Sequence, residues 1–471
     1  MLTTTDTMRA AGGTLRFTAV AVDSQGTAVE GVPIRWTVSN AQRGRITPSG
    51  LFTAGPDSGR VYVRAEAGDS GPVDSLAVHV MMPGTVRWTW AASEVGGFMP
   101  LLGGPALGRD GTVFLLVGTG YGPDHPGVLV ALSPDGGVRW TLPLLQVEGS
   151  TGPVVLPSDD VLLASVIVYL IAPTGAIQWD TLVAPPPPCP PCDELPVIPS
   201  FLSGAGTTDL FVAAAGKRVL AFSLASRTLR WASQESQRVS WLVPPTITSG
   251  GDVLAKLTDD TLFQFAGADG QIVKFFLDPD TGVDLRVFGR GSVPLGSRYY
   301  LPTQGRLAAL DTTGPLLWLT EDTGNGVTEP AVGPDGTLFI QNRLWGIQAL
   351  NPDGTTKWFR RTPNANMGWR EQPRWSWHGG PALAEGGIVY AAGQVGFFAL
   401  DVAGGFLWEF VADSAGAAQA FVGSPVIAPD GTVYTYTATH VYAFWASAPP
   451  EPNSPWPMWR HDAQRTGWAR P

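Results

Sequence analysis

The chain has 471 residues and carries a net charge of −10, with only 15% charged residues alongside 58 Gly and 42 Pro. That load of turn formers fits a β-rich protein, and a hydrophobic content of 44% with 18 Trp excludes a disordered one. The acidic balance lacks any Lys/Arg block, which excludes a nucleic-acid footprint, and no apolar run reaches the roughly 18 residues of a membrane-spanning helix.

Residues 1–82 read as a unit of their own. Leu15, Phe17, Ala19 and Ala21 alternate with polar or small neighbours, and so do Val32, Ile34, Trp36 and Val38. Val61, Val63 and Ala65 follow, then Leu76, Val78 and Val80. A period of two broken by Gly-bearing turns predicts an antiparallel sandwich. The string Val22-Asp23, Gly26, Val29, Gly31-Val-Pro-Ile-Arg-Trp36, Ser39-Asn40 and then Gly50-Leu-Phe-Thr-Ala54 resembles bacterial Ig-like domains of the invasin/intimin (BIG2) type. That resemblance covers residues 13–81. It implies a stalk-like module at a cell surface, hence an extracytoplasmic protein, whether surface-bound, secreted or periplasmic. Residues 1–13 hold only part of the leading strand such domains carry, and no signal peptide is visible. The native chain is therefore expected to begin further upstream.

After the linker Met81-Met82-Pro83 one phrase recurs at intervals of roughly 40–50 residues, the period of a four-stranded propeller blade. It reads Gly84-Thr-Val-Arg-Trp88, Gly136-Gly-Val-Arg-Trp140, Gly175-Ala-Ile-Gln-Trp179 and Arg227-Thr-Leu-Arg-Trp231. The later copies are Gly270-Gln-Ile-Val-Lys274, Gly314-Pro-Leu-Leu-Trp318, Gly354-Thr-Thr-Lys-Trp358 and Gly404-Gly-Phe-Leu-Trp408. One bulky ring per repeat at a fixed position is expected to fill the wedge between neighbouring sheets, and Lys274 breaks that pattern. Turns such as Asp110-Gly-Thr112, Asp335-Gly-Thr337 and Asp430-Gly-Thr432 punctuate the units, with Gly where positive φ is required.

Seven complete units span about 100–144, 150–183, 198–234, 242–278, 289–322, 327–362 and 377–413. The stretch Phe421–Trp445 holds three further strands, and the orphan strand Gly84–Trp90 is expected to complete it. The fold class is therefore all-β: a sandwich over 1–82, then an eight-bladed propeller over 83–446 closed by an N-terminal strand. Seven blades is the alternative if the weak fourth unit is not a blade. Circular closure removes exposed sheet edges.

The phrases Gly431-Thr-Val-Tyr434, Phe398-Ala-Leu-Asp401 and Gly405-Phe-Leu-Trp408 resemble PQQ-like repeats of the quinoprotein type. The tail Pro455-Trp-Pro-Met-Trp-Arg-His-Asp-Ala-Gln-Arg-Thr-Gly467, within 447–471, is similar to a segment that flanks such propellers and is expected to pack on the propeller. The resemblance implies architecture far more than activity. Quinoprotein dehydrogenases hold PQQ on Ca²⁺ and carry adjacent cysteines. Here Cys189 and Cys192 are split by two prolines, and no stretch matches the ligand motifs. No cofactor is expected, and the chain leans away from enzyme function.

Four features remain as site candidates. Cys189 and Cys192, in Pro185-Pro-Pro-Pro-Cys-Pro-Pro-Cys192, fall short of a four-ligand zinc site. A local disulfide pinning this loop is the reading adopted; free thiols and a redox pair are the alternatives. Asp278, Asp280 and Asp284 alternate as in a calcium loop but lack further ligands, so an ordinary turn is the first reading and a metal site the second. The five histidines (His79, His125, His378, His440, His461) show no paired ligand spacing.

The insertion Asn364–His378 gathers Trp369, Trp375 and Trp377 beside Arg370, Arg374 and His378. Flat apolar faces beside hydrogen-bond donors suit a protein or glycan partner, against the plainer reading of a loop packed on its own blade. The function expected is a non-enzymatic extracytoplasmic binding or scaffold protein recognising a protein or glycan through its propeller face. The alternatives are a PQQ/Ca²⁺-dependent oxidoreductase and a BamB-like envelope-assembly scaffold.

Overall fold

The computed structural model describes all residues except 5–6, 70, 97–100, 119–125, 146–151, 165–166, 183–201, 204–209, 216–217, 235–244, 259–260, 278–291, 304, 322–326, 343–345, 362–379, 394–395, 415–416, 420, 422, 459 and 467–471. The chain divides into two compact units. One comprises Met1–Arg87 with Ile427–Val433 and Ala443–Pro450, the other Trp88–Val426 with Tyr434–Tyr442 and Glu451–Pro471. None of the described helices is long and apolar enough to cross a membrane.

The N-terminal part holds two four-stranded sheets. One orders Leu2–Thr4, Thr14–Ala19, Leu51–Ala54 and Gly44–Ile46; the other orders Met8–Ala10, Val73–Met81, Gly59–Ala67 and Ile34–Val38. Alternation places Leu15, Phe17, Phe52, Val61, Val63, Val78 and Val80 in one buried cluster, with Trp36 packed against it. Phe17 meets Trp36 and Phe52 edge-on at 6.3 and 6.2 Å between ring centroids, a favourable arrangement of ring quadrupoles. Two residues of the alternating pattern fall outside the strands. The first run stops at Ala19, before the turn held by Asp23 Oδ1, which accepts from the N–H groups of Gln25 and Thr27. The second begins at Ile34 rather than Val32, just after Pro33, which has no N–H to donate.

The repeats form eight four-stranded sheets, seven of them with their strands in sequence order. The first comprises Leu101–Leu107, Val113–Gly118, Gly127–Leu132 and Val138–Leu144. The second runs from Val154–Val155 to Ile177–Leu182, the third from Leu202–Ser203 to Thr228–Ala232, and the fourth from Thr246–Ile247 to Ile272–Leu277. The fifth runs from Val293–Leu295 to Leu316–Leu319, the sixth from Ala331–Val332 to Thr356–Arg361, and the seventh from Ala382–Ala384 to Phe406–Phe410. The eighth takes Val426–Ile427, Val433–Tyr436 and His440–Phe444 and is completed by Val86–Ala91, from before the first repeat.

Burial follows strand position. Val113–Gly118 is buried throughout, whereas Val138–Leu144 alternates and exposes every other side chain. Continuous apolar strands need cover on both faces, and the neighbouring sheets supply it. Phe114 and Leu129 of the first sheet share a cluster with Val161, Leu163 and Ile171 of the second. Val219 and Trp231 of the third share one with Val253 and Phe265 of the fourth.

The repeated phrase works across these junctions. Five of the seven indole N–H groups reach the last turn of the next sheet: Trp88 donates to the Pro134 carbonyl, Trp140 to Pro173, Trp231 to Gly267, Trp318 to Pro352 and Trp358 to Val402, at 2.7–3.1 Å. The same turn lays its glycine on the ring. A Cβ at Gly270 would stand 2.4 Å from Trp231, and one at Gly354 2.6 Å from Trp318. Both glycines have positive φ, so two independent constraints require Gly there. Where Lys274 replaces Trp, its Nζ donates to the Thr312 carbonyl at 2.9 Å, and a Cβ on the facing Gly314 would meet only open space.

Candidate functional site

Three of the four features singled out from the sequence lie outside the described residues: Trp369, Arg370, Arg374, Trp375, Trp377 and His378; Asp278, Asp280 and Asp284; and Cys189 with Cys192. No group of three or more His, Cys, Asp or Glu that could hold a metal ion occurs among the described residues.

The structure instead brings together a cluster on the innermost strands. The segment after the last sheet, Ser454–Thr466, adds no strand to any four-stranded sheet, yet it binds the first strands of several. The Leu107 N–H donates to the Ala463 carbonyl, Val155 to Gln464, Val332 to Trp456 and Leu383 to Pro457, at 2.7–3.0 Å. Sheets one, two, six and seven thereby converge on one stretch of chain. Sheets four and eight join through side chains: Arg460 Nη1 donates to the Pro245 carbonyl and Arg465 Nη2 to the Ser424 carbonyl, each at 3.0 Å. Arg465 Nε reaches Pro105 of the first sheet at the same distance.

At the centre of this convergence stands Glu329, 2% exposed. Its Oε1 accepts from Trp456 Nε1 at 2.9 Å and from the Arg460 backbone N–H at 3.0 Å. Burial raises its pKa above the usual carboxylate range, and the charges of Arg460 and Arg465 pull against that rise. The same burial lowers both guanidinium groups to about 10, which leaves them charged at neutral pH. Asp462, turned back onto Thr466 N–H and Oγ1, is held below its ordinary value despite its burial by His461 and Thr466. Two cations and two carboxylates thus occupy one dry region, an arrangement that costs desolvation unless every member is paired. The Glu329 Oε2 atom is buried with no hydrogen-bond partner.

Room for these groups comes from the matching position in the other repeats. Glu329 precedes Pro330 at the head of its sheet, where other repeats carry Gly104, Gly152, Gly380 or Ser424. A Cβ at Gly380 would lie 2.4 Å from the Glu329 carbonyl oxygen, and one at Gly104 would lie 2.9 Å from the Tyr436 ring and 3.4 Å from Arg465 Nη2. The one signal in the sequence was this carboxylate standing where the repeats otherwise use small residues.

A second layer of polar contacts recurs at the Asp-Gly-Thr turns. Asp110 Oδ1 accepts from the Thr112 N–H at 2.9 Å and the Thr112 hydroxyl at 2.6 Å, and Asp110 pairs with Arg139 of the outermost strand. Burial alone would raise the Asp110 pKa; Thr112 and Arg139 overcome it and lower it to about 2. Lys357 likewise pairs with Asp335 at 3.3 Å, and Arg87 pairs with Asp430 at 3.1 Å. These pairs lie at strand ends and stabilise turns, and the repetition marks them as scaffold.

Stacked four-stranded sheets of this repeat define a PQQ-like-repeat β-propeller fold. Residues 281–457 match the family model described as "Outer membrane protein assembly factor BamB". Among solved structures the chain is similar to BamB from Moraxella catarrhalis, at 14% identity and a TM-score of 0.53, covering 77% of this chain and 99% of that one. It is also similar to Sqt1 from Saccharomyces cerevisiae, at 9% identity and a TM-score of 0.56, covering 74% and 96% of the two chains. Sqt1 from Chaetomium thermophilum gives 13%, 0.57, 74% and 97%. At such identities the likeness is one of fold. No curated protein matches the chain in sequence.

Proposed function

We propose that this chain is a non-enzymatic, extracytoplasmic binding or scaffold protein whose propeller face engages a protein or glycan partner. The observation that carries the reading is the filling of the convergence point by the chain's own segment Ser454–Thr466, anchored through Glu329, Arg460 and Arg465. A ring cross-braced from within is suited to hold its loops in fixed positions, and sites on a rigid frame recognise partners at low entropic cost. The tryptophan-rich insertion 364–378 is the partner-binding loop in this proposal, with Trp369, Arg370, Arg374, Trp375, Trp377 and His378 as its contacts. The eight sheets, and the Trp88 bond to the first of them, support an eight-bladed ring closed by Val86–Ala91. The two N-terminal sheets support an Ig-like module, and that module supports placement outside the cytoplasm.

The match over 281–457 favours one second reading, an envelope-assembly scaffold. Titration with PQQ and Ca²⁺, followed by a dye-linked alcohol or sugar oxidation assay, tests the class. The expected result is neither saturable cofactor binding nor turnover; stoichiometric binding with turnover would make the chain a quinoprotein. Deletion of 364–378 is expected to abolish partner binding while leaving the thermal unfolding midpoint in place.

A further inference from the structure

The contacts of Ser454–Thr466 are those of a bound peptide. Four main-chain N–H groups of four different sheets donate to its carbonyls, at Trp456, Pro457, Ala463 and Gln464. Strand-edge backbone groups that bind a peptide's main chain give affinity without regard to sequence, and side-chain pockets add specificity. Three such anchors are present: Trp456, 1% exposed, and Arg460 and Arg465, 3% and 2% exposed. Their polar atoms are received by Glu329, Pro245, Pro105 and Ser424.

The wall also shapes the segment. Arg460, His461 and Arg465 hold positive φ of 61°, 76° and 63°. Non-glycine residues adopt that conformation at a cost and only where their surroundings impose it. The segment adds no strand of its own, and each of these sheets already has four. Pro452 and Asn453, which lead into it, are exposed.

We propose that the converging inner strands form a peptide-binding site with Ser454–Thr466 as its tethered, exchangeable occupant. The ligand class is a peptide that presents one Trp and, four and nine residues later, two Arg, with the chain turning at both Arg positions. Tethering keeps the site filled in cis, since a short linker provides an effective concentration on the order of millimolar. This inference does not depend on the recognition role proposed for the outer loops.

The test begins with the full chain carrying a protease site inserted between Asn453 and Ser454. The protein is folded, cleaved, and offered a fluorescent synthetic peptide of residues 454–471, with polarisation and native mass spectrometry as readouts. The expected result is one-to-one exchange of the labelled peptide into the cleaved protein. The same peptide with Arg460→Ala and Arg465→Ala should bind on the order of 100-fold more weakly, each substitution losing charge-assisted hydrogen bonds. The uncleaved chain should take up roughly 100-fold less label because its own segment competes. Three outcomes would overturn the proposal: no exchange while circular dichroism shows the cleaved protein folded, equal binding of both peptides, or unfolding on cleavage. Unfolding would make the segment an integral part of the core.

Discussion

At the rim, Trp140 of one sheet lies against Gly175 of the next and donates its N–H to that sheet's last turn, and the contact recurs with small variations. At the inner strands the chemistry occurs once: Glu329, Arg460, Asp462 and Arg465 from two distant stretches share one buried region. The rim gains its strength by repetition of apolar contacts with one hydrogen bond each. The inner cluster depends on mutual pairing, so its members fail together. Repetition tolerates the loss of a copy, and a paired buried cluster does not.

The largest effect should therefore come from Glu329→Ala. It leaves the Trp456 and Arg460 N–H donors without their acceptor and removes a carboxylate whose charge supports the buried Arg460 guanidinium, which costs about 3–5 kcal/mol. Glu329→Gln keeps an acceptor oxygen and should cost less than the Ala variant. Denaturant midpoints for both measure the difference. A loss below about 1 kcal/mol for Glu329→Ala would erase the contrast between rim and interior.

The rim can be broken at a single copy. Gly270→Ala adds a methyl 2.4 Å from Trp231 on a backbone with φ of 72°, while Gly251→Ala meets open space at φ of 87°. Both pay the left-handed backbone cost of about 1–2 kcal/mol. Only the first also overpacks a ring, for a further loss of about 1–3 kcal/mol. Equal thermal shifts in the two variants would show that the glycine is required for its backbone alone.

Much of this contrast explains what was legible in the sequence. The rim signature is written eight times at a steady interval, so a period could be seen and the sheets counted from it. The inner cluster is written once, with Glu329 and Arg460 separated by 131 positions, and only the convergence of the first strands joins them. A solitary Glu before a Pro looks like a surface residue until the ring curls it inward. In the sandwich the period of two was visible, but Asp23 and Pro33 set the strand ends, and Ala21 and Val32 continued the pattern past them. The loop residues chosen for chemistry, from Trp369 to His378, lie outside the described residues, and their role stands as a proposal.

A pH titration separates the turn layer from the rest. Asp110 has its folded pKa lowered to about 2 from 3.8, so its contribution is fully present above the unfolded value and is lost as pH falls through that window. Asp335 is shifted in the same direction. Stability should decline between about pH 4 and pH 2, and Asp110→Asn should flatten part of that slope. A slope unchanged in Asp110→Asn would assign the acid sensitivity to other carboxylates. Both side chains are more than half exposed, so the effect should be modest and should shrink in salt.

The smallest effect tests whether the exceptional junction still fits its original part. Lys274 replaces the indole N–H with an ammonium that donates to Thr312, which keeps the hydrogen bond and gives up the ring. Lys274→Met removes the donor to that carbonyl and should cost about 0.5–1.5 kcal/mol. Lys274→Trp should restore both elements, because Gly314 faces open space where Gly354 faces the Trp318 ring. The gain expected is about 0.5–1.5 kcal/mol, the extra worth of a well-placed aromatic contact. If Lys274→Trp instead lowers the unfolding midpoint, the fourth and fifth sheets have drawn together around the lysine. The open space at Gly314, whose φ of 131° departs from the 72–90° of its counterparts Gly136, Gly175, Gly270, Gly354 and Gly404, would then reflect a turn rebuilt for a thinner side chain.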